Sequence, residues 1–178
     1  MGNVSPLHPA FVHLPLGIAM IMPFLTGFVY YLIKKEKLPD NAWVITVFLQ
    51  LFLVIGAFAS LQSGEKDEEF VEKVLSEELI EQHEDIGKIF MAISAITLVV
   101  LAAGLMKSTP IPLLRIVGIA ATLAVLGTGM YTGKLGGELV YAQGGARAFI
   151  QKDAQDPGAI KSDKQTQSDK KDDDDDDD

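Results

Sequence analysis

Three histidines, His8, His13 and His83, are the side chains here that carry a metal-ligating ring nitrogen. The chain has no cysteine, which excludes disulfides, thiolate metal sites, iron–sulfur clusters and covalent c-type haem attachment. Imidazole suits haem iron as an axial ligand. Mixed with carboxylates, it suits zinc, iron or manganese. Spacing limits the combinations. His8 and His13 are five residues apart, roughly 140° around a helix, so a regular helix cannot aim both at one metal. His8 precedes Pro9 and fits an N-cap followed by proline at the first helical position.

The elements that must position these histidines are long and apolar. Of 178 residues, 48% are hydrophobic and the net charge is −9, but the two residue classes are segregated. Residues 151–178 hold five lysines and eleven aspartates, with Asp172 to Asp178 as a homopolymer; they cannot bury a core and are expected to be a disordered acidic tail. The preceding 150 residues read as a transmembrane domain with spans at about 10–33, 42–62, 84–106 and 111–133. The first run is 24 residues without a charge. At about 1.5 Å per residue it exceeds a hydrocarbon core of about 30 Å. No Lys or Arg precedes residue 34, so this run reads as a retained helix rather than a signal peptide. The expected fold is all-α: an integral membrane four-helix bundle, up-down-up-down, with an acidic loop helix at one end.

Charge placement gives the expected direction. Lys34, Lys35 and Lys37 lie between spans 1 and 2, and Lys107 lies between spans 3 and 4, with Arg115 near enough to the start of span 4 to snorkel. The connection from Glu65 to Asp85 holds ten acids against two lysines. By the positive-inside rule the basic loops face the cytoplasm and both termini face outward, in a bacterial inner (cell) membrane. Within the acidic connection, Phe70, Val71, Val74 and Leu75 form an apolar helix face. Ser76 with Glu77 and Glu78 looks like a helix restart. The loop reads as a lid or solvated turn, or as a docking surface for a basic partner.

All three histidines therefore fall at the outward ends of helices 1 and 3, which are diagonal in such a bundle. Small residues return to the same level: Gly56, Ser60 and Gly64 in helix 2, and Gly129, Gly133 and Gly137 in helix 4. His13 and His83 each have a glycine one turn on, Gly17 and Gly87. Small stripes in membrane helices ordinarily mean close backbone packing. Beside histidines they also leave room for a flat cofactor, with His13 and His83 as axial ligands of a b-type haem and Gly17 and Gly87 keeping the next turn clear. A non-haem metal would draw on His8 or His13 with His83, and on Glu84, Asp85 or Glu138. No phosphate loop, nucleophile elbow or zinc-protease motif is present, and the charge sign disfavours nucleic acid.

The stretch His8-Pro9-Ala10-Phe11-Val12-His13-Leu14-Pro15-Leu16-Gly17 resembles the signature of a bacterial four-helix membrane family, domain of unknown function 2231. The similarity continues through Ser63-Gly64, His83 to Gly87, Gly127-Thr128-Gly129 and Gly136-Gly137-Glu138-Leu139-Val140-Tyr141-Ala142-Gln143-Gly144. It covers roughly residues 6–145. Members look like integral membrane proteins, some joined to Rieske or cytochrome modules, a context that implies electron transfer. Where many members carry histidine two residues after the tyrosine, this chain has Gln143. A second haem or metal relying on that position lacks its ligand here, although glutamine can hydrogen-bond a propionate or a quinone carbonyl.

The first expectation is a b-type haem electron-transfer subunit, rather than a stand-alone enzyme, with His13 and His83 as ligands and Gly17, Gly87, Gly129 and Gly133 around the cofactor. Tyr131 or Tyr141 would contact propionates or a quinone. The second is a non-haem metal site (His8, His13, His83) for sensing, transport or oxidation. The third is a cofactor-free scaffold or partner subunit. Expected partners are membrane lipid, quinol or a basic periplasmic redox protein, and further copies or subunits of a complex.

Overall fold

Buried positions recur every three or four residues along all four helices of the computed structural model, which describes residues 8–106 and 111–145, the side chains of Glu69 and Phe70 excepted. Helix α1 (His8–Lys34) buries Pro15, Ala19, Met22, Thr26 and Val29. Helix α2 (Val44–Val71), entered through a 3-10 turn at Asp40–Trp43, buries Thr46, Gln50, Leu53, Ala57 and Ser60. Helix α3 (Glu77–Ala103) buries Phe90, Ser94, Thr97 and Leu101, and α4 (Ile111–Gly137) buries Arg115, Gly118, Thr122, Val125 and Gly129. A mean spacing of 3.5 keeps such a seam turned inward along the whole helix. Each helix packs on two neighbours, which leaves α1 diagonal to α3.

The interior is more polar than the surface. Phe24, Phe28, Phe48, Phe58, Ile96, Val99 and Met130 are exposed, whereas Thr26, Thr46, Gln50, Ser94, Thr97, Arg115 and Thr122 are buried. In water this arrangement would be an aggregation hazard. In lipid it follows from the physics: hydrocarbon solvates Phe and Ile as well as a core does, so helices associate through small and polar residues. All four helices are long and apolar enough to cross a membrane.

Cross-helix contacts fix the register. A Cβ on Gly56 would meet Pro15, on Gly129 Phe90, on Gly118 Leu101, and on Gly136 His83; Gln50 Nε2 donates to the Ser94 carbonyl at 2.9 Å and Trp43 Nε1 to the Leu101 carbonyl at 2.9 Å. These pairings stack the seams into layers: Ala19/Leu53/Phe90/Gly129, then Met22/Gln50/Ser94/Val125, then Thr26/Thr46/Thr97/Thr122, then Val29/Trp43/Leu101/Gly118.

Two ends extend beyond the expected spans. Helix α2 runs to Val71 and α3 begins at Glu77, so the acidic connection is taken up by the ends of both helices and the break is confined to residues 72–76. Ser76 has the extended backbone of an N-cap, yet its hydroxyl makes no capping bond. Helix α4 passes into a π turn at Glu138–Ala142, closed by Gln143 N–H on the Glu138 carbonyl at 3.0 Å. Gly144 then turns the chain with φ 78°, a conformation that glycine adopts without a Cβ clash. The acidic tail, Lys107 and the Phe70 side chain lie outside the described residues.

Arg115 does not snorkel. It is buried on the seam of α4, with NH1 on Asp40 Oδ1 at 2.9 Å, NH2 on the Asp40 carbonyl at 3.3 Å, and its guanidinium 5.2 Å from the Trp43 ring centre. The 3-10 turn brings Asp40 under α4, where it accepts from two guanidinium nitrogens while the buried Nε has no partner.

Candidate functional site

The seam of α1 extends from Pro15 by seven residues to His8, not to His13. His8 is half-buried, while His13 is exposed. Across the bundle, the seam of α3 runs from Phe90 by seven residues to His83. The two rings meet with centres 6.0 Å apart and planes at 87°. The facing pair is therefore His8 with His83, which corrects the expected pairing of His13 with His83; His13 lies about 140° away from His8 around α1.

Bare backbone on both sides admits these rings. A Cβ at Gly64 of α2 would stand 3.3 Å from His8 Nδ1, and one at Gly136 of α4 would stand 3.1 Å from His83 Cε1. Glycine space thus does border the imidazoles, but through Gly64 and Gly136. The glycines expected to line a cofactor are placed differently. A Cβ at Gly129 would stand 3.0 Å from Phe90 and 3.3 Å from Leu16, one at Gly133 3.8 Å from Leu16, and one at Gly87 3.3 Å from Leu61. Nothing stands within 4 Å of a Cβ at Gly17. At Gly56 and Gly129 the small-residue stripes serve helix packing, as lipid-embedded helices require. Tyr141 is 89% exposed and Tyr131 45% exposed.

Hydrogen bonds orient the two rings unequally. His8 Nδ1–H donates to the Ser60 carbonyl at 2.8 Å, with the Ser63 hydroxyl at 3.4 Å from the same nitrogen. With Nδ1 so engaged, the neutral ring carries its lone pair on Nε2, the arrangement by which proteins prepare a ligating histidine. The main-chain N–H of His8 donates to Asp67 Oδ2 at 3.2 Å, so this buried carboxylate (9% exposed) caps the start of α1. His83 Nδ1 is buried without a partner, with the Thr132 backbone beside the ring. Glu84 pairs with Lys88 at 2.9 Å and Glu138 with Lys134 at 3.5 Å on the rim. Among the described residues, no group of three or more His, Asp or Glu side chains is placed to hold a metal ion.

A family profile described as predicted membrane protein, DUF2231, matches residues 4–148. The chain belongs to that family. The match spans the whole bundle, including both histidines of the pair, and agrees with the resemblance read from the sequence. No curated protein and no solved structure is significantly similar to the chain. Family membership therefore establishes a membrane protein and leaves its chemistry to be argued from the site. Two members of that site, Asp67 and Gly136, escape a reading based on hydropathy. Asp67 looks like one of ten loop acids until α2 is seen to continue past it. Gly136 stands out only when spaced by seven from Gly129 along the seam.

Proposed function

We propose that this is a membrane electron-transfer subunit in which His8 and His83 hold the iron of a b-type haem. The observation that carries the reading is the facing imidazole pair on diagonal helices, with ring centres 6.0 Å apart. Two imidazoles presented to each other from diagonal helices are the donors that would hold the iron of such a group. A porphyrin supplies four nitrogens of its own, so two histidines complete its coordination. A bare ion generally needs three or more protein ligands, and the described residues gather no such group. The donor set thus fits haem better than a non-haem metal.

The surroundings limit where the group would sit. Phe90 and Leu16 fill the level of Gly129, which confines a macrocycle to the outermost turns of the bundle. When bound, the haem would supply a reversible one-electron carrier. The chain's own residues act on the ligands: the Ser60 carbonyl holds the tautomer of His8, Asp67 holds the start of α1, and Gly64 and Gly136 give the rings room. The basic hairpin at Lys34, Lys35 and Lys37 supports an orientation with the histidine end outward. There a quinol or a basic redox protein could exchange electrons beside the acidic ends of α2 and α3.

The test is absorption spectroscopy of the full chain, purified in detergent after expression with ample haem, together with iron and porphyrin analysis. A sharp low-spin spectrum at one haem per chain is expected. Colourless protein, or iron without porphyrin, would contradict the proposal in favour of a scaffold or a non-haem site, respectively.

A further inference from the structure

Near the middle of the bundle each helix contributes one threonine to a single layer, Thr26, Thr46, Thr97 and Thr122, all at most 1% exposed. Every hydroxyl donates its hydrogen to its own helix: Thr26 to the Met22 carbonyl at 2.7 Å, Thr46 to Trp43 at 2.8 Å, Thr97 to Ile93 at 2.8 Å and Thr122 to Ile119 at 2.7 Å. What the oxygens retain is lone pairs, so the layer offers acceptors. The next layer adds another. Gln50 is fully buried, its Nε2 is committed to the Ser94 carbonyl, and its Oε1 has no partner. That bond also fixes which end of the amide is oxygen.

An unpaired amide oxygen in an apolar medium is destabilising. The neighbouring layer supplies the threonine acceptors, Thr46 standing one turn from Gln50 on α2. A complementary occupant must donate hydrogen bonds. It must also be small and carry no charge, because no acidic residue lies in these layers to balance a cation. Water meets all three conditions, and buried waters characteristically bridge two to four such groups.

We propose that Gln50 Oε1 and the four-threonine layer form an internal hydration site that holds ordered water. Apolar layers close it on both sides, Ala19, Leu53 and Phe90 toward the histidines and Val29, Trp43 and Leu101 toward Arg115. It is a closed chamber rather than a channel, and it does not depend on the haem reading.

The test uses the full chain in lipid nanodiscs with 15N-glutamine and 13C-methyl threonine, the Gln50 amide being assigned with Gln50→Leu. Expected are magnetisation-transfer peaks from the water resonance to the Gln50 side-chain amide and to the Thr97 and Thr122 methyls. The methyl peaks should be lost in Gln50→Leu protein that keeps its helical dichroism. Contacts of the wild-type Gln50 amide with aliphatic protons alone would overturn the proposal. So would peaks present in sodium or potassium chloride and absent in choline chloride, since a cation would then occupy the layer.

Discussion

At the arginine end of the bundle the buried charge is held from several directions. Arg115 bonds to Asp40 twice and lies over Trp43, whose indole donates to the Leu101 carbonyl. At the histidine end His83 Nδ1 is buried without a partner, as Arg115 Nε is at the other end, and the half-buried His8 is tethered through Nδ1. The first arrangement locks the ends of three elements together. The second leaves His83 Nδ1 uncommitted, at a cost to stability. On the proposed reading the arginine end carries structure and the histidine end chemistry.

Breaking the lock should give the largest effect. Trp43→Ala removes a fully buried ring and a hydrogen bond and is expected to cost about 3–5 kcal/mol, read as a lowered midpoint of denaturant-induced helix loss in detergent. Asp40→Ala leaves Arg115 with the Asp40 main-chain carbonyl as its remaining acceptor. Because Asp40 is largely exposed, water can compensate in part, and a loss of about 1–2 kcal/mol by the same assay is expected. Both variants should leave haem binding at the far end unchanged once the protein is folded.

The converse perturbation sharpens the contrast. Gly136→Val places branched carbon where even a single Cβ would stand 3.1 Å from His83. It is expected to displace the imidazole and abolish or weaken haem binding severalfold. Trp43 is the sole tryptophan, so its unshifted fluorescence would show the arginine end intact. The smallest effect should come from the hairpin beyond α1. Glu36 has φ 56° and closes a Schellman pattern, its N–H on Ile33 at 2.9 Å and that of Lys37 on Leu32 at 2.9 Å. Glu36→Gly relieves the left-handed strain and should raise stability by about 1 kcal/mol in the same unfolding assay.

The four spans, the restart at Glu77 and the histidines' shared end were legible because length, charge and N-capping residues encode them locally. The choice of His13 over His8 was not. It rested on the matched spacing of His13 to Gly17 and His83 to Gly87, whereas burial follows the 3.5-residue seam that runs through Pro15, Ala19, Met22, Thr26 and Val29. Hydropathy cannot reveal that seam, because lipid leaves the outer face as apolar as the inner one. Residue size and polarity mark it in part: most of the threonines, serines and helix-packing glycines of the spans lie on the seam, among larger buried side chains such as Met22, Leu53 and Phe90. Arg115 was misread for a different reason. Its partner is 75 residues away, and no local pattern announces a contact made by a 3-10 turn.

The central claim is that His8 and His83 act as one site from which His13 is excluded. Absorption spectra of the haem-loaded full chain, compared between His8→Ala and His13→Ala, test it most directly. The account predicts that His8→Ala loses the low-spin six-coordinate spectrum while His13→Ala keeps it at full stoichiometry. Loss in His13→Ala with retention in His8→Ala would contradict it.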